Sequence, residues 1–343
     1  MKAKIKWLTD ISEKDKNLAN LLFDWKQKDN WDLSRLYPSG NRNLYFRLDE
    51  PLKEHNTKFK FLKIKGHHYM KYNKMQPPEA KEYTGEDGNP ANIKVLRKNP
   101  SVPEGTIEHA INYGDYTLYL MKTYERPNGC MFLEEIMNEV KIQGHLLGNE
   151  CLCPLPVGIA EYDSRFNGKK LGAHIMAIPD RDVRTSHLME DVLEEKISDN
   201  RKSELIFEAV ESHFKGLKRL HDNNVVHLFA HFGNSAMLPK KFMPFYCDFE
   251  NSALLGKNNG EYNKLYKAID LSEAFCRIYH LKRNLEEKRR IIGNFFNPAI
   301  KGYGMPKEKG NEISFVLDES CFGSFIKFCA VNFNMAGGLK ELV

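Results

Sequence analysis

Asn234 and Asp248 pair an amide oxygen with a carboxylate, and each sits on a loop abutting an apolar run. Hard oxygens of this kind suit Mg²⁺, which keeps near-octahedral geometry and takes one or two protein groups, completing its shell with water and phosphate oxygens. Either residue alone could instead cap a turn or a helix. His231, just before Asn234, titrates near neutral pH and could act as a base or steady an anion, or simply hydrogen-bond within its own loop. Earlier in the chain, Lys122 stands at the end of the run YTLYLMKT, one residue before Thr123, and shares the face of Leu118 and Leu120 by period-2 alternation. Glu139 follows in an amphipathic segment, with Glu135 one turn earlier as the alternative acid. A lysine and a glutamate so placed can form a solvent-facing pair or a pair that presents the ammonium to an anion.

The elements that must position these residues are legible from periodicity. Residues 12–35 are helix-compatible, with Leu18, Leu21, Leu22 and Trp25 at helical spacing, and 44–72 is strand-like. Residues 77–103, rich in Pro, Gly, Asn and charge, read as a long loop or insertion. The segment 131–147 places Leu133, Ile136, Met137, Val140 and Leu147 on one helical face, ended by Gly148. Strands are expected at 155–162 and 171–178, joined as a hairpin through Asn167-Gly168. Residues 202–221 form a helix buried along Ile206, Val210, His213, Phe214, Leu217 and Leu220. Further helices are expected at 265–282 and 285–296, and a Pro/Gly loop at 297–312.

Composition is that of a globular protein: 41% hydrophobic and 28% charged in 343 residues, enough for two compact lobes. No apolar window is long enough for a membrane helix and no signal-peptide core opens the chain, so a cytoplasmic protein without a membrane partner is expected. The seven cysteines lack paired CxxC spacing and read as reduced, buried thiols. The net charge of +5 is concentrated at the N-terminal end. Lys58, Lys60, Lys63, Lys65, Lys71 and Lys74, interleaved with aromatics, form a stretch that could bind a polyanion such as nucleic acid, or a strand whose lysines face water.

The segment RLHDNNVVHLFAHFGNSAMLPKKFMPFYCDFENSALL, from Arg219, resembles the catalytic and metal loops of the protein-kinase-like superfamily, following the order H-R-D-x-x-x-x-N and D-F-G. It is closer to the aminoglycoside and choline kinases, whose loop reads H-x-D-x-H-x-x-N: His227, His231, Gly233 and Asn234 fall in register, and Asp248-Phe249-Glu250 and Asp270-Leu271 are similar to their D-F-E and Asp-Leu pairs. The stretches NEVKIQGHLLGNECLCPLPVGIAEY and GAHIMAIPDRDVRTSHL resemble, more loosely, selenoprotein-O-type pseudokinases, which transfer AMP.

These resemblances imply a bilobal α+β protein-kinase-like fold, with a basic N-terminal extension at 1–105, a β-rich N-lobe at 106–180 and a helical C-lobe at 181–343. They imply ATP and Mg²⁺ as cofactors, Asn234 and Asp248 as metal ligands, and a Lys122–Glu139 pair on the α and β phosphates. They also imply adenine against Ala177, Ile178 and Pro179, Arg184 on a phosphate with Arg181 as a nearby substitute, and His227 bracing the loop. Two departures stand out. Phe229 occupies the position of the catalytic Asp and can neither accept nor orient a proton, and no Gly-rich loop precedes Lys122. The expected function is therefore an atypical ATP-dependent transferase of phosphate or AMP, acting on a protein, peptide or small-molecule acceptor. The alternatives are an inactive nucleotide-sensing pseudokinase or scaffold, and a polyanion-binding protein.

Overall fold

The computed structural model describes residues 2–39, 42–54, 57–71, 74–82, 93–98, 107–113, 116–124, 127–180, 183–227, 230–238, 243–256, 266–267, 270–271, 274–275, 278 and 296–305, with the backbone alone at 82, 93–98, 107–113, 116–124, 183, 187, 236–238, 243–244 and 251. The architecture is α+β. Packing divides the chain into two compact units, Met1–Arg97 with Ser101–His109 and Leu120–Arg181, and Lys98–Pro100 with Ala110–Tyr119 and Asp182–Val343. Among the described residues no helix is long and apolar enough to cross a membrane.

In chain order the strands are β1 (Ala3–Trp7), β2 (Leu36–Ser39), β3 (Asn43–Glu54), β4 (Thr57–Lys65), β5 (Tyr69–Lys71), β6 (Lys74–Gln76), β7 (Glu79–Glu82), β8 (Ile93–Lys98), β9 (Ile107–Tyr113), β10 (Tyr116–Tyr124), β11 (Pro127–Asn128), β12 (Met131–Phe132), β13 (Leu155–Phe166), β14 (Lys169–Ile178), β15 (Val183–Arg184), β16 (Val225–Val226), β17 (Ser235–Leu238), β18 (Met243–Tyr246) and β19 (Ala253–Leu254). The helices are α1 (Glu13–Phe23), α2 (Leu133–Gly148), α3 (Thr185–Glu194), α4 (Asp199–Asp222) and α5 (Phe296–Tyr303).

The first unit is built on a seven-stranded sheet of order β1-β13-β14-β4-β3-β2, with β12 also pairing β14. The β13–β14 hairpin turns at Asn167 and Gly168, both with positive φ (49° and 77°), as the two central residues of a type I′ turn require. The strands near the N-terminus do not form a separate extension: β1 pairs with β13, and β4 with β14. Long-range pairing, which no local pattern encodes, moves the expected boundary at 105. β10, the strand ending near Lys122, belongs instead to a separate three-stranded sheet, β8-β10-β9. The 77–103 stretch, expected as a loop, holds β7 and β8, and its positions 83–92 and 99–103 lie outside the described residues.

Register sorts the main sheet into two faces. Leu44 and Phe46 of β3 sit opposite Ile64 and Leu62, which sit opposite Ile175 and Ala177, so these apolar side chains share one face. The alternate residues, Asn43, Tyr45, Lys63, Lys65, His174 and Met176, share the other. Of the basic stretch, Lys58, Lys60, Lys71 and Lys74 are exposed, whereas Lys63 and Lys65 are 1% exposed. Two of its six lysines therefore turn inward, and four face solvent.

In the second unit α4 buries Ile206, Val210, His213, Phe214, Leu217 and Leu220, the stripe its periodicity announces, from a Ser198 N-cap that accepts the Arg201 N–H. Short ribbons β15-β17-β18 and β16-β19 carry the loops beside it. The expected loop at 297–312 begins instead as α5, in which Pro298 sits in the first turn, where a missing N–H costs nothing. The described positions between 266 and 278 are helical, and 285–295 lies outside the described residues.

Candidate functional site

In the first unit the chemistry gathers on the inward polar face of the sheet. α2 lies across it, and Gly172 lets it approach: a Cβ there would stand 2.6 Å from the Ala160 carbonyl oxygen and 3.0 Å from Ile136 Cδ1. The buried face of α2 is Glu135, Ile136, Glu139, Ile142, Gln143, Leu146 and Leu147, while Met137 is 54% exposed. The helix is thus rotated from the stripe expected from hydrophobicity, because Glu139, which meets Lys65 and His174 on the sheet, claims the inner face together with Glu135 and Gln143.

Glu139, 1% exposed, meets Lys65 with Nζ at 3.4 and 3.5 Å from its two oxygens, and His174 Nδ1 at 3.1 Å from Oε2. Lys65 and His174 are cross-strand neighbours, which brings both to one carboxylate. A pair this deep needs both members, since removing one leaves a bare buried charge at a cost of about 3–5 kcal/mol. His174 Nε2 and both amide atoms of Gln143, one turn along α2, are buried and have no protein partner among the described residues. Beyond Lys65 the chain turns sharply at Gly66, φ 95°, where a Cβ would press to 2.9 Å from the Gly172 carbonyl oxygen.

Lys65 is the partner that sequence reasoning overlooked. Its signal was its parity with Phe59 and Phe61, which implied a buried lysine at a strand end. The side chain of Lys122 lies outside the described residues, as does Arg181. Ala177 and Ile178 are fully buried within β14, in register with Leu62 and Phe61, so any connector with backbone groups outside the ladder starts at Pro179. Cys151 and Cys153, the CxC pair, are buried thiols, and burial pushes the Cys153 thiol well up, with the neighbouring Cys151 and Glu139 charges acting in the same direction.

The second unit holds the loop residues. Asp270, fully buried at a helical position, accepts the His227 backbone N–H at 2.6 Å and a hydrogen bond from His221 Nε2 at 3.2 Å. His227 Nε2 donates to the Cys247 carbonyl at 2.8 Å, and the Cys247 N–H donates to the Asn234 carbonyl at 3.1 Å. These bonds lash the loop before Asn234 to the turn carrying Asp248, as the expected bracing role of His227 requires. A second brace is His213 on α4: its Nδ1 lies 2.7 Å from Ser235 Oγ, its Nε2 donates to the Ala230 carbonyl at 3.1 Å, and burial pushes its pKa down to about 3. Asp248 adopts a left-handed conformation, φ 65° and ψ 49°, which a short polar side chain tolerates and which re-aims the carboxylate as β18 ends.

Asn234 and Asp248 are both part-exposed, and their loops are tied together by the bond from the Cys247 N–H to the Asn234 carbonyl. Arg184, at the N-cap of α3, places NH2 2.9 Å from Asp248 Oδ2 and NH1 2.6 Å from Cys247 Sγ. His231 Nδ1 accepts the Gly233 N–H at 3.1 Å, so the lone pair that would take a substrate proton is already engaged in bracing the loop. Phe229 lies outside the described residues. Among the described residues no group of three or more His, Cys, Asp or Glu could hold a metal by itself.

No family model and no curated protein matches the chain. Among solved structures it is similar to WaaP in complex with acyl carrier protein, at 10% identity and a TM-score of 0.40 over 95% of this chain and 98% of that one. It is also similar to a divergent kinase lacking the glycine-rich loop that regulates membrane ultrastructure of the Toxoplasma parasitophorous vacuole, at 15% identity and a TM-score of 0.25 over 59% of this chain and 66% of that one. At TM-scores below 0.5 these likenesses add nothing to what the residues themselves establish.

Proposed function

We propose that the chain is a kinase-like ATP-binding transferase of unconventional catalytic loop, in which Lys65, rather than Lys122, is the lysine that serves the nucleotide phosphates. The observation that carries this reading is the buried Lys65–Glu139 pair. Lys65 puts a buried ammonium on the polar face of the sheet, 3.4 Å from a carboxylate that His174 also meets at 3.1 Å. Phosphate oxygens are the natural further acceptors for it. The unpartnered Nε2 of His174 and amide of Gln143 fit a polar, hydrated ligand nearby better than a dry core.

Asn234 and Asp248 fit Mg²⁺ by donor type, one amide oxygen and one carboxylate, on loops joined through Cys247. With only two such ligands the ion belongs to the nucleotide as much as to the protein. When bound, it supplies charge neutralisation on the phosphates. Whether phosphate or AMP is transferred, and to which protein, peptide or small molecule, depends on how the nucleotide lies. The second reading, a nucleotide-binding pseudokinase, is favoured by one residue, Phe229, where a catalytic Asp is expected. The polyanion reading loses its main support with the burial of Lys63 and Lys65.

Calorimetry with ATP and Mg²⁺ tests the binding claim. The double variant Lys65→Met/Glu139→Gln, which leaves no lone buried charge, is expected to weaken ATP binding at least tenfold, about 1.4 kcal/mol. Unchanged affinity would remove Lys65 from the site. Transfer from α- or γ-labelled ATP by the parent then separates AMP from phosphate transfer, and no transfer from either label, with ATP bound, leaves the pseudokinase.

A further inference from the structure

We propose that Arg184 is the resident counter-ion of Asp248, so that a divalent cation enters this site only together with a nucleotide whose phosphates draw the guanidinium away. The inference rests on the ATP-binding reading and adds an order of binding to it. Its first support is the ion pair itself: Arg184 NH2 lies 2.9 Å from Asp248 Oδ2, with the two side chains 20% and 17% exposed. The guanidinium fork spans the turn, since NH1 reaches Sγ of Cys247. A divalent ion on the same carboxylate would sit about 2 Å from its oxygen, close enough to the guanidinium for strong like-charge repulsion in a partly buried setting. Arginine and metal therefore compete for one carboxylate.

Its second support is that the aim of Arg184 is built in. β15 pairs Val183 and Arg184 with Met237 and Ala236 of β17, and β17 in turn pairs with β18, the strand that leads to Asp248. Thr185 Oγ1 lies 2.8 Å from Ser235 Oγ and donates to the Ser235 carbonyl at 3.2 Å, and the Ser186 N–H donates to the Phe232 carbonyl. The backbone on both sides of the guanidinium is thus pinned to the Asn234 loop, while the side chain stays part-exposed and able to swing. A planar fork binds phosphate bidentately as well as it binds carboxylate, so exchanging one partner for the other is inexpensive.

The probe is Mn²⁺, its free concentration read by electron paramagnetic resonance, with a non-hydrolysable ATP analogue present or absent. The parent is expected to take up Mn²⁺ only with the analogue. Arg184→Met should bind Mn²⁺ alone at least about tenfold more tightly than the parent, Arg184→Lys should stay near the parent, and Asp248→Asn added to Arg184→Met should abolish the gain. Equal Mn²⁺ affinity of parent and Arg184→Met without nucleotide would overturn the proposal. So would tight uptake by the parent alone, which needs no variant to fold. Uptake by Arg184→Met alone, with none by the parent in the presence of the analogue, would uphold the counter-ion and sink the nucleotide reading.

Discussion

Acidification should loosen the first unit through one histidine. His67 is fully buried, edge-on to Phe23 at 5.5 Å, stacked on Trp25 at 5.2 Å and 5.6 Å from Trp31, and its Nε2 donates to the Leu22 carbonyl at 2.8 Å. Burial pushes its pKa down to about 4, against an opposing pull from that hydrogen bond. Attraction of an imidazolium to the indole faces, about 0.5–2 kcal/mol, is smaller than the cost of stripping the cation of water, so the neutral form wins. An unfolded histidine takes its proton near pH ~6.5. Between that pH and about 4 the unfolded chain binds more protons than the folded one, so stability is full above ~6.5 and falls as pH falls. At 1.36 kcal/mol per unit the loss is about 2 kcal/mol at pH 5 and about 3 at pH 4. All three tryptophans, Trp7, Trp25 and Trp31, lie in this unit, so urea unfolding followed by tryptophan fluorescence reads it alone. His67→Gln, which keeps a donor but cannot titrate, should lose about 2 kcal/mol less than the parent between pH 7 and 5. Equal losses in the two proteins would refute the reasoning.

Asp270→Ala should cost about 3–5 kcal/mol in urea unfolding followed by circular dichroism, because it strands two buried donors, the His227 N–H and His221 Nε2. A loss under about 1 kcal/mol would mean that the loop is not held from this helix. Gly172→Ala should lower the melting temperature by the equivalent of about 1–3 kcal/mol, since the new Cβ meets the Ala160 carbonyl, a ladder group, at 2.6 Å. It should also weaken nucleotide binding by lifting α2, and an unchanged melting temperature would show that the sheet yields there.

How the chain divides into elements was legible wherever a local period carries the information. The α4 stripe from Ile206 to Leu220 needs only the 3.6-residue repeat, and the β13–β14 hairpin only an Asn-Gly pair that accepts positive φ at both positions. The type and order of His227, Asn234 and Asp248 along a short stretch single these positions out, and the structure ties them together through Cys247. What the sequence left open depends on partners far away in the chain. Lys65 ends β4 and Lys122 stands two residues before the end of β10, and only the pairing of β4 with β14 sets Lys65 beside His174 and under Glu139. Met137 and Glu139 compete for the inner face of α2, and the deciding term is a pair formed with a residue 74 positions away. The resemblance to selenoprotein-O-type pseudokinases implies Arg184 on a phosphate, and only the β15-β17-β18 ribbon sets its guanidinium against Asp248. Short-range periodicity is a property of neighbouring side chains and survives in any fold, whereas the choice of ion-pair partner is made by strand register, which tertiary packing alone decides.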